Sequence, residues 1–353
     1  MSFSDPRIVA VAPMASEFNA FTGRFAQALR DAGLQPVEYE WGLRGLMQCD
    51  AVIFHWPDAF MNARDWKFAG EQLLRLWFCK IATGLKIVWL AHNALPHDTQ
   101  GRGALFRHAF LRSLDGVIYL SERSRDLVRA AHRLPRGIAE QVTVHGAYPR
   151  SGSAFAPPTP GERVRLASIG LVRPYKNLSE LTVAAQGVAA ARIEVAIVGK
   201  RHDADYAAQL ETAAGRDSAV RFQLSNALLS PGEIDAAIDR AHGVVLPYRK
   251  ILNSGSAIHA LSRGRPVLVP ATGSMPALAE LVGHDWVWLY DGLITPQVLT
   301  DFADHVRAMR PGSVPDLAAL SWDRVTQDLR GFLGKLFARE EAVASMAGRQ
   351  ALR

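Results

Sequence analysis

The chain has 353 residues, 49% hydrophobic and 21% charged, which excludes a disordered or fibrous protein and leaves room for two globular domains. No apolar run reaches the ~18–20 residues of a membrane-spanning helix, and Met1 to Asp5 leads straight into a strand pattern rather than a secretory leader. The protein is therefore expected in the cytoplasm, soluble or peripheral on the inner face of the cell membrane. Its net charge of +6 favours anionic partners such as nucleotide phosphates or an anionic membrane surface.

In the first half, short apolar runs alternate with amphipathic segments. Strands are predicted over Arg7–Ala12, Ala51–His55, Lys86–Ala91, Gly116–Leu120 and Val142–His145. Helices are predicted over Asn19–Ala32, Asp65–Ala82, Gly103–Ser113 and Glu122–Leu134. Continuous apolar runs of this length belong to a parallel sheet covered on both faces. Cys49 and Cys79 sit in apolar or helical settings and are expected to be buried thiols rather than a disulfide.

Tyr148 to Arg163 breaks the alternation with Pro149, Pro157, Pro158 and Pro160 and reads as a linker. The second half resumes it. Strands are predicted over Arg165–Gly170, Ile193–Val198, Ala219–Leu224, Gly243–Leu246 and Pro266–Val269. Helices are predicted over Leu178–Ala190, Ala204–Ala214, Pro231–Arg240, from Ser254, near Ser274–Val282, over Pro296–Met309 and over Trp322–Ala338. The expected organisation is an α/β protein with a first domain over 1–150, a linker over 151–163 and a second domain over 164–312. Helices over 313–353 are expected to pack back on the first domain. Ligands of open α/β sheets sit at the carboxyl ends of the strands, so the site is expected in a cleft there.

Two strand-to-helix junctions have the composition of phosphate sites. Gly170 to Asn177 carries Arg173 and Lys176, a planar fork and a compact charge suited to phosphate oxygens. Asn253-Ser254-Gly255-Ser256 opens a helix, where backbone N–H groups and a partial positive charge collect. Arg249 and Lys250 precede it and could face the same anion. The alternatives are a solvated basic turn and an ordinary helix cap.

Among acid–base candidates, Asp58 follows Phe54-His55-Trp56-Pro57 at a strand end, and Glu122 follows the strand ending at Leu120. Either can instead be a cap or first-turn carboxylate. His92 and His97 lie in the loop Ala91 to Asp98 as sugar or phosphate ligands or structural histidines, with His145 a similar but weaker case. Glu280 follows Thr272-Gly273-Ser274 and could meet a ribose or simply face solvent. Asp203-Ala204-Asp205 has metal-motif spacing but precedes a helix, and Cys and His are scattered, so no metal or other cofactor is expected. The segment Trp66 to Lys80 mixes aromatics and bases, with Arg102, Arg107, Arg112, Arg123, Arg125 and Arg129 following. It reads as a membrane-facing surface or as a core stripe beside solvated arginines. No nucleic-acid motif appears, and no nucleic-acid partner is expected.

The segments Ser168 to Asn177 and Pro247 to Val267 resemble the donor-binding half of GT-B glycosyltransferases, whose two Rossmann-like domains face a cleft. With Phe54 to Asp58 and Ala91-His92-Asn93, the chain is similar to transferases of bacterial exopolysaccharide assembly, above all the xanthan-type GDP-mannose glycolipid β-mannosyltransferases. The resemblance implies a nucleotide-sugar donor held by the second domain through Arg173, Lys176 and the Asn253–Ser256 turn. It also implies a saccharide or polyprenyl-diphosphate-linked acceptor in the first. One feature departs from the pattern. Retaining members with a Glu-x7-Glu pair would place carboxylates near Ile251 and His259, and neither is present. Three readings stay open: an inverting hexosyltransferase using GDP-mannose, a retaining one using UDP-glucose or UDP-glucuronate, and a non-catalytic GT-B partner protein.

Overall fold

The computed structural model describes residues 6–16, 19–93, 103–150, 154–188, 191–215 and 219–351, with side chains up to 338. It divides into two units, Met1–Gly146 with Leu320–Arg353, and Ala147–Ala319.

The first unit is built on β1 (Ile8–Ala12), β2 (Gln35–Glu38), β3 (Ala51–Phe54), β4 (Lys86–Ala91), β5 (Gly116–Tyr119) and β6 (Ala139–Val142). They form one sheet in the order β2-β1-β3-β4-β5-β6, and every pairing is parallel. All residues of β3 and β5 are buried, the outcome of continuous apolar runs covered on both faces. The helices are α1 (Ala20–Asp31), α2 (Leu43–Leu46), α3 (Asp58–Met61), α4 (Trp66–Thr83), α5 (Gly103–Ser113) and α6 (Glu122–Ala131). Asn19, Asp65 and Ser121 cap α1, α4 and α6 through side-chain oxygens that accept first-turn N–H groups. Gly84, with φ of 77°, ends α4.

Two strands of this unit differ from the sequence expectation. The edge strand β2 was unforeseen, because Gln-Pro-Val-Glu carries little apolar character and its proline is tolerated only at an edge. The last strand is Ala139–Val142 rather than Val142–His145. Glu140 and Gln141 pair at the sheet margin, while the apolar Val144 beyond them is buried without joining the ladder.

The second unit contains β7 (Val164–Ile169), β8 (Ile193–Lys200), β9 (Val220–Ser225), β10 (Gly243–Val245), β11 (Val267–Pro270) and β12 (Val287–Tyr290). Their order is β12-β11-β10-β7-β8-β9, again all parallel. The chain runs outward from β7 to β9 and then outward the other way from β10 to β12. The reversal point, where α/β sheets hold ligands, lies between β7 and β10. The helices are α7 (Leu178–Gln186), α8 (Ala204–Ala214), α9 (Pro231–Arg240), α10 (Gly255–Ser262), α11 (Met275–Val282) and α12 (Pro296–Ala308). The proline-rich stretch is not a free tether. The Tyr148 amide donates to Ser262 Oγ at 3.0 Å, and buried Phe155 packs edge-on against Trp286 while its carbonyl accepts from the Gly312 amide. The division between units accordingly falls after Gly146.

The chain then returns. Helix α13 (Trp322–Ala351) packs on α1 and β6, Arg330 donates to the carbonyls of Asp31 and Ala32, and Phe332, Leu333 and Phe337 are buried. Cys49 and Cys79 are free and buried. Among the described residues no helix is long and apolar enough to cross a membrane.

Candidate active site

At the carboxyl end of β7 the chain turns at Gly170 with φ of +100°. A Cβ there would lie 2.7 Å from Lys176 Nζ and would push the ammonium aside, and the positive φ itself favours glycine. Lys176 ends a single 3-10 turn, Pro174–Lys176, and is 6% exposed. Its Nζ donates to the Ile169 carbonyl at 3.0 Å and sits 5.6 Å from the ring centroid of Tyr248, the third residue past β10. The ammonium thus bridges the two strands that flank the reversal point. Its neighbours are a carbonyl and an aromatic face rather than a carboxylate. Burial, with Arg173 beside it, pulls its pKa down to about 8. A cation held against its own desolvation is a site short of an anion.

Arg173 reinforces this reading. Its Nη2 lies 3.4 Å from His202 Nδ1, and its Nε is buried with no hydrogen-bond partner. A guanidinium N–H without an acceptor is matched by a phosphate oxygen. On the other side, Ser254 caps α10 by accepting the Ala257 N–H at 3.1 Å, and the hydroxyls of Ser256 and Ser254 lie beside the Tyr248 phenol, tempering the rise that burial imposes on its pKa. The same tyrosine therefore ties the Lys176 loop to the mouth of α10. Gly255 and Ser256 form the first turn of that helix and are partly exposed.

In the first unit, His55 follows β3, His92 follows β4 and His145 lies past β6. All three rings meet Phe21 of α1, at centroid distances of 5.9, 5.0 and 4.4 Å respectively. His55 Nδ1 and His92 Nε2 are 3.0 Å apart, and Trp56 stacks on His92. Burial lowers the pKa of His55 to about 3 and of His145 to about 4, and that of His92 well below its usual value, with the two neighbouring imidazoles adding to the effect. All three are neutral at pH 7 and form a floor of uncharged rings at the carboxyl edge of the sheet.

Against known proteins, the chain is 31% identical over 315 residues to a Xanthomonas campestris pv. campestris protein named GDP-mannose:glycolipid 4-beta-D-mannosyltransferase. The match covers 88% of this chain and 86% of that one. The chain belongs to this family of glycosyltransferases. A second Xanthomonas campestris pv. campestris sequence of the same name is 30% identical over the same length. No family model matches. Among solved structures, the catalytic domain of starch synthase IV from Arabidopsis thaliana, bound to ADP and acarbose, gives a TM-score of 0.61 at 9% identity, covering 95% of this chain and 99% of that one. Anabaena HepE in complex with UDP-glucose gives 0.58 at 12%, covering 97% and 99%. These likenesses fix the fold as GT-B, with two Rossmann-like units.

Within this glycosyltransferase the remaining candidates fall in different places. Arg249 donates to Asn177 Oδ1 at 2.9 Å and to Glu180 Oε1 at 2.5 Å, so its guanidinium braces the start of α7. Lys250 is exposed and Asn253 half-buried. Glu280 lies on the exposed side of α11 in an ion pair with His284 at 3.2 Å, the surface alternative. At the first-unit strand ends, Asp58 is exposed at the start of α3, three residues after His55. Glu122 is exposed in the first turn of α6 and pairs with Arg125 at 2.6 Å, a helix-start carboxylate. Asp203 caps α8 through the Tyr206 N–H, as its sequence setting implied. His97 and Arg102 lie outside the described residues. At the position where a second glutamate would stand, His259 hydrogen-bonds Asp235 at 2.7 Å. Sequence reading did not join His55 and His145 to His92. The shared signal was a histidine at or just past a strand end in each of three places.

Proposed function

We propose that this glycosyltransferase moves mannose from GDP-mannose onto a polyprenyl-diphosphate-linked saccharide, with inversion at the sugar carbon and without a metal. The sugar and the glycolipid acceptor rest on one observation, the match over 88% of the chain to transferases named for both. The donor diphosphate sits against Lys176, Arg173 and the first turn of α10, so fixed charges and dipoles neutralise the leaving group where a metal otherwise would. Inversion is supported by Ile251 and His259 occupying the two glutamate positions of retaining members. The first unit holds the acceptor, with Asp58 as the base that takes the hydroxyl proton. The reaction is assigned to the cytoplasmic face of the membrane.

The test is transfer to a synthetic polyprenyl-diphosphate saccharide in EDTA, with the anomeric configuration read by NMR. A β-mannoside is expected. An α-linked product, or faster turnover with UDP-glucose or UDP-glucuronate, overturns the reading, as does absence of any transfer. Asp58→Asn is expected to lose about a hundredfold in kcat, the lower end of what a general base contributes, with donor affinity retained. Near-normal transfer removes Asp58 from the role. Arg173→Ala is expected to lower kcat/KM about tenfold, the worth of one charge-assisted hydrogen bond. Unchanged kinetics place that guanidinium outside the donor site.

A further inference from the structure

Past the ends of β3 and β4, three rings lie in near-parallel order at the carboxyl edge of the first-unit sheet. Trp56 lies on His92, with centroids 4.7 Å apart and planes 22° from parallel. His92 lies in turn on His55, at 5.3 Å and 28°. The contact of 3.0 Å between His55 Nδ1 and His92 Nε2 holds the two imidazoles together. Two phenylalanines of α1 wedge them edge-on. Phe21 meets His92 at 84° and His55 at 87°, and Phe25 meets His55 at 80°. Rings fixed in this way have little freedom left to lose when a ligand settles on them. Exposure rises along the stack. His55 is 1% exposed, whereas His92 and Trp56 are half-buried. The indole N–H of Trp56 has no partner among the described residues. Packing alone does not call for this composition. Phenylalanine would fill the space of an imidazole without leaving a buried nitrogen unpaired, as His55 Nε2 is.

We propose that Trp56, backed by His92 and His55, is the platform on which the terminal sugar ring of the acceptor stacks. This rests on the reading of the first unit as the acceptor half. The chemistry of the two surfaces matches. An indole presents a flat face with a negative π cloud and a single N–H donor at its edge. A pyranose presents C–H groups of partial positive charge on its faces and hydroxyls round its rim, so it meets an aromatic face with the first and polar groups with the second. His92 takes one face of the indole, which leaves the other for the sugar. The neutrality of the imidazoles matters here. A cation stacked on the far face would draw π density away from the sugar C–H groups, and burial keeps both rings uncharged at pH 7. Position completes the argument. Ligands of open α/β sheets collect at this edge. Asp58 begins α3 two residues after Trp56, so a ring seated on the indole brings its hydroxyl rim to the turn that carries the proposed base.

The test is saturation-transfer NMR on the full chain with GDP and a synthetic short-chain prenyl-diphosphate disaccharide, which reads contact without turnover. Saturation is expected to reach the C–H groups on one face of the terminal ring more strongly than those of the sugar next to the diphosphate. Trp56→Ala should abolish that contrast and raise the acceptor KM about tenfold, the scale of one lost aromatic contact. Its GDP affinity should stay as in wild type, since GDP belongs to the other unit. Trp56→Phe keeps a flat ring and should retain part of both effects, which separates stacking from a general loss of fold. Asp58→Asn should lose transfer and keep the saturation pattern. Neither the donor sugar nor the anomeric configuration of the product enters this readout, so the mannosyl reading and the platform fail separately. Three results overturn the platform: no saturation of the saccharide by wild type, saturation spread evenly over its two sugars, or a terminal-ring pattern that survives Trp56→Ala.

Discussion

Replacing Lys176 by methionine is expected to lower kcat/KM by about a hundred- to a thousandfold, the usual cost of removing one preorganised partner from developing negative charge. Methionine is close in length and shape, so the loop over Gly170 and the Tyr248 ring need not move. The variant should melt no lower than wild type, because a buried ammonium facing a carbonyl and a ring is costly and a thioether is not. The ammonium also leaves a proton signature. Its folded pKa of about 8 lies below the ordinary value of 10.5. Between those two pH values the unfolded chain holds a proton that the folded chain has released, so the unliganded protein gains stability as pH rises through that window. A diphosphate favours the charged form, so GDP binding at pH 8.5 must take the proton back. Calorimetry in buffers of different ionisation enthalpy should show uptake of part of one proton by wild type and none by Lys176→Met. Equal uptake by both would place the diphosphate elsewhere.

Acid should destabilise the first unit well before its carboxylates titrate. His55 and His145 have folded pKa values of about 3 and about 4 against 6.5 unfolded, and His92 is displaced in the same direction. As pH falls below 6.5 the unfolded chain gains protons that the folded cluster refuses. Stability is then lost at about 1.4 kcal/mol per pH unit for each imidazole, down to about pH 4 for His145 and about pH 3 for His55. His242 in the second unit, lowered to about 4 by burial and by Arg165, acts with the same sign on that unit. The melting temperature should fall steadily from pH 6.5 to 4.5, and His145→Asn should flatten that slope. The slope is the readout, since the variant's midpoint also reflects packing around Phe21. A melting temperature indifferent to pH over this range would mean that the rings are solvated and charged.

Much of the fold was legible because its central strands are covered on both faces and so carry unbroken apolar runs. What escaped lies at sheet margins. β2 and β12 are short and only partly buried, and the true β6 is the polar Ala139–Val142. Of the candidate site, Arg173, Lys176 and Ser254 could be picked out because small residues and cations at a strand end have few other uses. Their state could not. Whether a lysine is solvated or buried under a tyrosine depends on Tyr248, 72 residues further on, and on a glycine leaving room for it. Arg249 and Glu280 have the same composition cues, and their partners Glu180 and His284 account for them without a ligand. The histidine floor required knowing that three separate strands deliver their ends to one phenylalanine, which no local pattern encodes.

The return of α13 has a bearing on how the chain matures. The ribosome releases residues in order, so the long stretch from Ala147 to Ala319 emerges whole before the helix that covers α1 and β6 exists. The second unit can mature early, while the first waits with an uncovered apolar flank for the last segment to be translated. Shortening the gene from its 3′ side should therefore unsettle the half that was made first, and leave the half made second able to bind GDP.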